Sequence, residues 1–151
     1  MKLLSSILLA VVLSLTAWVP AHAGPEHDHT DPGATGCNRN AYQITRNIQL
    51  KRIDNERPIN AYMQIFYSRS CGTNWIRLTR NPYGTVAEKL LITDIEGAWR
   101  TDEEYDTGYG SSYGMQLYAP GCIIAQITIY DSRTYTYGIS RAIARAHRSI
   151  C

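Results

Sequence analysis

Hydrophobic and polar residues alternate along much of the chain, and strict alternation is the pattern of β-strands with one buried face. The most strand-like stretch is residues 122–130, which places Ile123, Ala125, Ile127 and Ile129 on one face. Residues 59–67 and 75–79 also alternate between two faces, and residues 85–95 form another candidate strand after the turn at residues 81–84. About six short strands separated by turn residues predict an all-β domain, mainly antiparallel, built as a sandwich or a partly closed barrel.

The remaining segments are less regular. Residues 41–53 alternate imperfectly, and residues 96–121 are acidic and then rich in Gly, Ser and Tyr, which indicates a long surface loop. Residues 134–137 read Thr-Tyr-Thr-Tyr and are predicted to form a hairpin with residues 122–130. The tail is compatible with a helix that aligns its arginines or with a last strand that turns Ala142, Ala144 and Ala146 inward, and the strand is favoured.

The N-terminus has the order of a secretory signal peptide. Lys2 precedes an apolar run over residues 3–19, and Pro20 leads to the small-x-small triplet that ends at Ala23, where cleavage is expected. An uncleaved membrane anchor is the alternative, but no cluster of Lys or Arg follows the apolar run. The prediction is a flexible leader over residues 24–36, one domain over residues 37–151, and no transmembrane segment after processing.

Charge and composition exclude some classes of function. The chain has 15 basic and 13 acidic side chains, and removal of Lys2 with the signal peptide leaves a net charge of +1. A dedicated nucleic-acid-binding protein needs an excess of positive charge to neutralise phosphates. We therefore expect an extracellular bacterial protein that binds no nucleic acid.

Four cysteines, an even number, follow the predicted cleavage site, which in an oxidising compartment indicates two disulfides. No two of them have the short spacing of a zinc half-site. Three connectivities are possible. We favour Cys37–Cys71 with Cys122–Cys151. Each bridge would close a loop of about thirty residues and remove about 3–4 kcal/mol of unfolded-state entropy.

Two stretches resemble a known family. Residues 31–37, Asp-Pro-Gly-Ala-Thr-Gly-Cys, and residues 65–75, Ile-Phe-Tyr-Ser-Arg-Ser-Cys-Gly-Thr-Asn-Trp, resemble the signature of the secreted Gram-positive family called domain of unknown function 2690. Residues 129–131 and the Tyr-rich stretch after them are also similar to its C-terminal half. The resemblance implies an exported, compact domain and supports pairing Cys37 with Cys71. It implies no known activity.

One pattern suggests a hydrolase. Residues 110–114, Gly-Ser-Ser-Tyr-Gly, match the G-x-S-x-G motif of a nucleophile elbow, and Asp131 and His147 follow Ser112 in the order of an α/β-hydrolase triad. The elbow needs a strand before the serine and a helix after it, whereas the flanks here are loop-like. No catalytic residue is therefore predicted, and the set Ser112, Asp131 and His147 remains a weak alternative.

The acidic stretch over residues 94–106 carries five more acids than bases. Asp102, Glu104 and Asp106 alternate in a way that suits Ca²⁺, but Thr107 stands where a calcium loop needs Gly. A glycosidase carboxylate pair is a second reading and a solvated loop is the favoured one. His27 and His29 suggest only weak metal binding, so neither a metal site nor a cofactor is predicted.

Two groups of residues favour a binding function. Cationic side chains are concentrated near the C-terminus and suit an anionic partner such as a cell-wall polymer, because the guanidinium fork matches phosphate. The alternative is that they neutralise residues 94–106 within the domain. Tyrosines in the predicted loop offer rigid contact area for a protein or a sugar. The sequence therefore predicts a secreted binding module. Its predicted contact residues are Tyr105, Tyr109, Tyr113, Tyr118, Arg141, Arg145 and Arg148. A small secreted hydrolase and a structural wall-associated domain are the alternatives.

Overall fold

The computed structural model describes residues 23–136 and 141–151. Apart from Ala23, the predicted signal peptide lies outside the described residues, and so does Tyr137. Within these ranges, ten β-strands form one antiparallel sheet that curls nearly into a barrel, which confirms the predicted all-β, disulfide-bonded fold. Among the described residues, no helix has both the length and the apolar character needed to cross a membrane.

The strands are β1 Ala41–Gln43, β2 Ile48–Arg52, β3 Pro58–Ser68, β4 Thr73–Asn81, β5 Thr85–Ile95, β6 Ala98–Asp106, β7 Gly110–Tyr113, β8 Leu117–Tyr118, β9 Ile123–Asp131 and β10 Ala142–Ile150. Their order across the sheet is β6-β5-β9-β10-β2-β3-β4-β7, with β1 beside β3 and β8 beside β4. Two short 3₁₀ helices, Pro25–His27 and Cys37–Asn40, precede β1.

The core lies on the concave side of the sheet, where the alternating apolar residues meet. Met63 and Ile65 of β3 are fully buried and lie opposite Leu78 and Ile76 of β4. The predicted inward face of β9 is buried as well, with every one of its four members less than 5% exposed. Burying one such side chain contributes about 1.5–3 kcal/mol, so these strands supply the main driving force for folding.

Both predicted disulfides are present. Cys37–Cys71 ties the chain before β1 to the β3–β4 turn, and Cys122–Cys151 ties the start of β9 to the end of β10. The sequence separations of 34 and 29 residues correspond to about 3–4 kcal/mol of stabilisation for each bridge on the loop-closure model. Each bridge fastens an end of the domain to its sheet.

Residues 24–36, which we call the N-terminal segment, were expected to be a flexible leader but pack on the sheet instead. Thr30 pairs with Gln116 in an isolated bridge, and the buried Gln116 side chain donates hydrogen bonds to the hydroxyls of Thr30 and Thr35. The Asp28 carboxylate accepts from Arg100 and from the backbone N–H of Tyr118. These long-range polar contacts hold the N-terminal segment against the sheet. The sequence did not predict this order, because the segment has no apolar periodicity.

Two other segment predictions were wrong. Residues 96–121 contain β6, β7 and β8 rather than one long loop, because β6 turns carboxylates rather than apolar side chains toward the sheet interior. Residues 134–136 form a turn and irregular chain and not a strand. β9 pairs with β5 along one edge and with β10 along the other, so residues 134–136 have no free edge of β9 to pair with.

The C-terminal tail is a strand, as favoured. Ala144 and Ala146 of β10 face the core opposite Ile129 and Ile127, as predicted. Ala142 was also expected inward, but a register shift between Ala142 and Ala144 pairs it with Tyr130 on the other face. An extra residue in one strand changes the side-chain alternation at that point, which explains the difference.

Candidate functional site

The acidic stretch is a strand whose carboxylates face a buried lysine. Asp102, Glu104 and Asp106 of β6 lie opposite Leu91, Lys89 and Ala87 of β5 and share their face. The Lys89 ammonium forms an ion pair with Asp106 and lies 3.4 Å from the Ser112 hydroxyl. The Lys89 side chain is 1% exposed, so an internal cation offsets part of the negative charge of this strand.

Burial sets the protonation of this cluster. Loss of hydration raises the pKa of Asp102 and of Glu104, because the charged form of a carboxyl group is the one that needs water. The same effect lowers the pKa of Lys89, although the neighbouring carboxylates oppose it. Asp102 is also held by His29, whose Nδ1 lies 2.9 Å from its Oδ1. The cluster is a mutually compensated set of charges.

The metal readings find no support in this arrangement. A calcium ion between the carboxylates of β6 would compete with the Lys89 ammonium that already pairs with Asp106. In the part of the chain that the structure describes, the one grouping with metal-ligand spacing is His27 with Cys37 and Cys71. Those two sulfurs form a disulfide, which leaves no thiolate to bind a metal.

The hydrolase triad is not assembled. Ser112 lies on β7 beside Lys89, Asp131 ends β9 and is paired with Arg133, and His147 is exposed on β10. Four strand-to-strand steps separate β7 from β10 in the sheet. No hydrogen bond joins the three residues in the described structure, whereas a triad needs direct contacts between them. A glycosidase pair finds no better support, because Asp102 and Asp106 are engaged by His29 and Lys89.

The C-terminal cations line a groove between β10 and β2. These two strands pair at only two positions, where Ala144 lies opposite Arg52 and Arg145 lies opposite Lys51. A groove of about 330 Å³ lies along this junction, and we call it the basic groove. Its basic side chains are Lys51, Arg52, Arg145 and His147.

The basic groove keeps most of its positive charge. Arg52 is paired with Asp54, and Glu56 also lines the groove. Lys51 and Arg145 form no ion pair with any described carboxylate, and both side chains are exposed. Two cations placed directly opposite each other on neighbouring strands destabilise a sheet. The sequence left open whether these cations neutralise the acidic stretch, and the pairing of Asp106 with Lys89 and of Asp102 with His29 shows that other residues engage two of its carboxylates.

The three predicted arginines do not occupy equivalent positions. Arg145 lines the basic groove. Arg141 lies near Asp54, whose pKa is lowered mainly by its hydrogen bond with Arg52 and to a lesser degree by Arg141. Arg148 is exposed but lies opposite Ala125, on the face of β10 that carries Ala144 and Ala146. Because the tail is the strand β10, Arg145 lies beside residues of β2 and not beside Arg141 or Arg148.

The four predicted tyrosines are also separated. Tyr118 is half-buried against Gly72, and the Tyr105 hydroxyl donates to Glu103 while its ring contacts Tyr135. Tyr109 is 75% exposed and its ring meets that of Tyr83 at 6.4 Å beside a cleft of about 890 Å³. Tyr113 is 47% exposed and lines a different cleft. Only Tyr109 and Tyr113 thus remain available, among these four, as exposed contacts.

Sequence reasoning missed two groups of functional candidates. Lys51 and Arg52 belong to the imperfectly alternating segment, and their proximity to Arg145 depends on which strands become neighbours. Lys89 could have been found, because it is a charged residue on the strand face that it shares with Ala87 and Leu91. Comparison of the chain with protein-family models, with curated proteins and with solved structures finds no match.

Proposed function

We propose that this protein is an extracellular binding module that attaches to an anionic polymer of the bacterial cell envelope through the basic groove. The carrying observation is the cross-strand pair of Lys51 and Arg145, two exposed cations held opposite each other without a carboxylate partner. An anionic ligand bridging them would remove the repulsion and form charge-assisted hydrogen bonds. Export rests on the predicted signal peptide, and the two disulfides are compatible with it.

The chemistry of the groove favours phosphate. The Arg145 guanidinium offers several N–H donors in a fixed plane, and the Lys51 ammonium adds a compact charge beside it. His147 also lines the groove, and its side chain is exposed there. A polymer with a regular spacing of phosphates can occupy several such positions at once, which raises its overall affinity without additional contacts.

Binding of the exported protein to purified cell wall tests the proposal. Retention should be strong at about 0.05 M salt and should be lost toward 1 M, where the Debye length is about 3 Å. The double variant Lys51→Gln, Arg145→Gln should bind at least about a hundredfold more weakly, because it removes two cations and each charge-assisted hydrogen bond contributes about 1.5–3 kcal/mol. Cell wall stripped of its phosphate polymer should retain neither the parent protein nor the double variant.

A matched control uses cations that are already occupied. The double variant Arg133→Gln, Arg69→Gln removes the same charge, but Arg133 is paired with Asp131 and Arg69 lies over the Tyr42 ring. This control should bind like the parent protein. Equal losses in the two double variants would show that overall charge and not the groove governs retention. Retention that is indifferent to salt would contradict the proposal, and so would undiminished binding to the stripped wall.

The family resemblance remains a prediction. The motifs over residues 31–37 and 65–75 suggest a relationship with the secreted domain of unknown function 2690, which agrees with export but assigns no ligand. A small hydrolase is not proposed, since Ser112, Asp131 and His147 are not assembled in the described structure and the Lys89 ammonium beside Ser112 is already paired with Asp106.

A further inference from the structure

A second concave site lies at the β7 end of the strand order, between the N-terminal segment and strands β4 and β7. This cleft has a volume of about 450 Å³, within the range of small-molecule sites. We call it the aromatic cleft, after its floor of Phe66 and Trp75. It shares no residue with the basic groove.

The floor is a flat aromatic surface. Phe66 and Trp75 are directly opposite each other on β3 and β4, and their rings are stacked with centroids 5.8 Å apart and planes 11° apart. Trp75 is 6% exposed and Phe66 is half-buried, so Phe66 provides more of the accessible surface and Trp75 supports it. Such a surface can stack against a flat apolar face of a ligand.

The walls are fixed before any ligand arrives. One wall is the turn around Pro32 and Asn38, which the Cys37–Cys71 bridge ties to the β3–β4 turn. The other wall is β7, where Tyr113 lies opposite Arg77 and donates a hydrogen bond to Asp31 across the rim. A preformed site avoids the entropic cost of ordering loops when the ligand binds.

The polar groups of the cleft point to an anionic ligand. Arg77 is exposed, and its guanidinium has neither an ion pair nor a hydrogen bond within the described structure. The lining residues include no carboxylate. The Asp31 carboxylate accepts the Tyr113 hydrogen bond at the rim, and its other oxygen accepts from the backbone N–H groups of Gly33 and Ala34.

Two further lining groups can exchange hydrogen bonds with a ligand. The Asn38 side-chain amide and the Ser111 hydroxyl both lie on exposed residues, and neither has a side-chain hydrogen bond inside the described part of the protein. We propose that the aromatic cleft binds a sugar that carries a carboxylate, such as a uronic acid. Its carboxylate pairs with Arg77, its ring face stacks on Phe66, and its hydroxyls bond to Asn38 and Ser111.

The aromatic floor supplies its own reporter. In a Trp99→Phe background of the exported protein, Trp75 is the one tryptophan that follows the predicted cleavage site. Titration with glucuronate should change the Trp75 emission with saturation, and a dissociation constant on the order of 1 mM is expected for so small a ligand. Glucose, which has the same ring without the carboxylate, should bind about tenfold more weakly or worse.

Substitutions at Arg77 test the pairing. Arg77→Gln should reduce the affinity for glucuronate at least about tenfold, and Arg77→Lys should recover part of it because charge returns without the planar fork. Arg80→Gln is the matched control, since Arg80 lies on the same strand but contacts Asn60 and Tyr62. Far-UV circular dichroism verifies that each variant is folded. If Arg77→Gln does not fold, Ser111→Ala is a milder variant that should also weaken glucuronate binding.

Several results would overturn the inference. One is the absence of a saturable response to glucuronate, and another is equal affinity for glucose. Benzoate binding more tightly than glucuronate would assign the cleft to planar aromatic acids instead. The double variant Lys51→Gln, Arg145→Gln should leave the fluorescence titration unchanged, so failure at one site is distinguishable from failure at the other.

Discussion

Replacement of Lys89 by methionine tests how the charges inside the sheet are balanced. The ammonium group of Lys89 pairs with Asp106, and Glu104 lies directly opposite on β6. Methionine has a similar length and is apolar, so Lys89→Met fills most of the same space while removing the cation. The carboxylates of β6 would then lose their internal counter-charge in a site with little access to water.

The structure limits the expected magnitude. Breaking a buried ion pair by removing one partner costs about 3–5 kcal/mol. The Lys89 side chain is 1% exposed, but the Asp106 side chain is 29% exposed and keeps some of its hydration. We therefore expect a loss of about 3 kcal/mol, the lower end of that range. For a domain of this length, such a loss lowers the melting temperature by about 10 °C.

Urea denaturation followed by circular dichroism at pH 7 measures the effect, with Arg46→Met as the control for the loss of an exposed cation. The double variant Lys89→Met, Asp106→Asn should recover about 1–2 kcal/mol relative to the single variant, because it removes the uncompensated charge. A single variant within about 0.5 kcal/mol of the parent would refute the reasoning. A double variant no more stable than Lys89→Met would show that Asp106 is not the group left unpaired.

Three further outcomes are expected. Replacing Cys122 and Cys151 by serine should lower the free energy of unfolding by about 3–4 kcal/mol, and an unchanged urea midpoint would contradict the loop-closure argument. Asp28→Ala should release the N-terminal segment, so hydrogen-exchange mass spectrometry should show faster exchange there while β3 and β9 stay protected; equal rates would mean that Asp28 does not hold it. Burial raises the pKa of Asp102 and of Glu104, so the folded state binds their protons more tightly than the unfolded state does. The free energy of unfolding should therefore increase as the pH falls through the folded pKa values. This increase should be complete below the ordinary pKa values of the two groups, about 3.8 for Asp102 and about 4.5 for Glu104. The Asp102→Asn, Glu104→Gln variant should lose that increase in urea titrations between pH 7 and pH 4, and a parallel pH profile in the two proteins would be evidence against it.

The sequence was informative wherever a strand followed the ordinary rule of apolar residues inside and polar residues outside. Residues 85–95 coincide with β5, and residues 59–67 and 122–130 coincide with β3 and β9 within one residue at each end. The rule misled at β6, where the inward residues are acids. An inward acid is favourable only when a cation meets it, and Lys89 arrives from a different strand. A pattern along one strand cannot contain that information.

The two candidate sites show the same limit. The sequence located Arg145 and Tyr113 as candidate contacts but could not supply their neighbours. Lys51 meets Arg145 because β2 follows β10 in the sheet, more than ninety residues apart in the chain. Arg77 meets Tyr113 because β7 pairs with β4 and not with the strand that precedes it.

The sequence by itself therefore determined the class of fold, most of the strands and their buried faces, because these depend on hydrophobic burial with a period of two residues. It also limited the disulfide pairings to three and favoured the pairing that is present. The order of the strands was decided only in the tertiary structure. That order fixed which charges compensate one another at Lys89 and which remain exposed at the basic groove and the aromatic cleft. Local patterns record the burial of each side chain, whereas a site depends on contacts between residues that are distant in the chain.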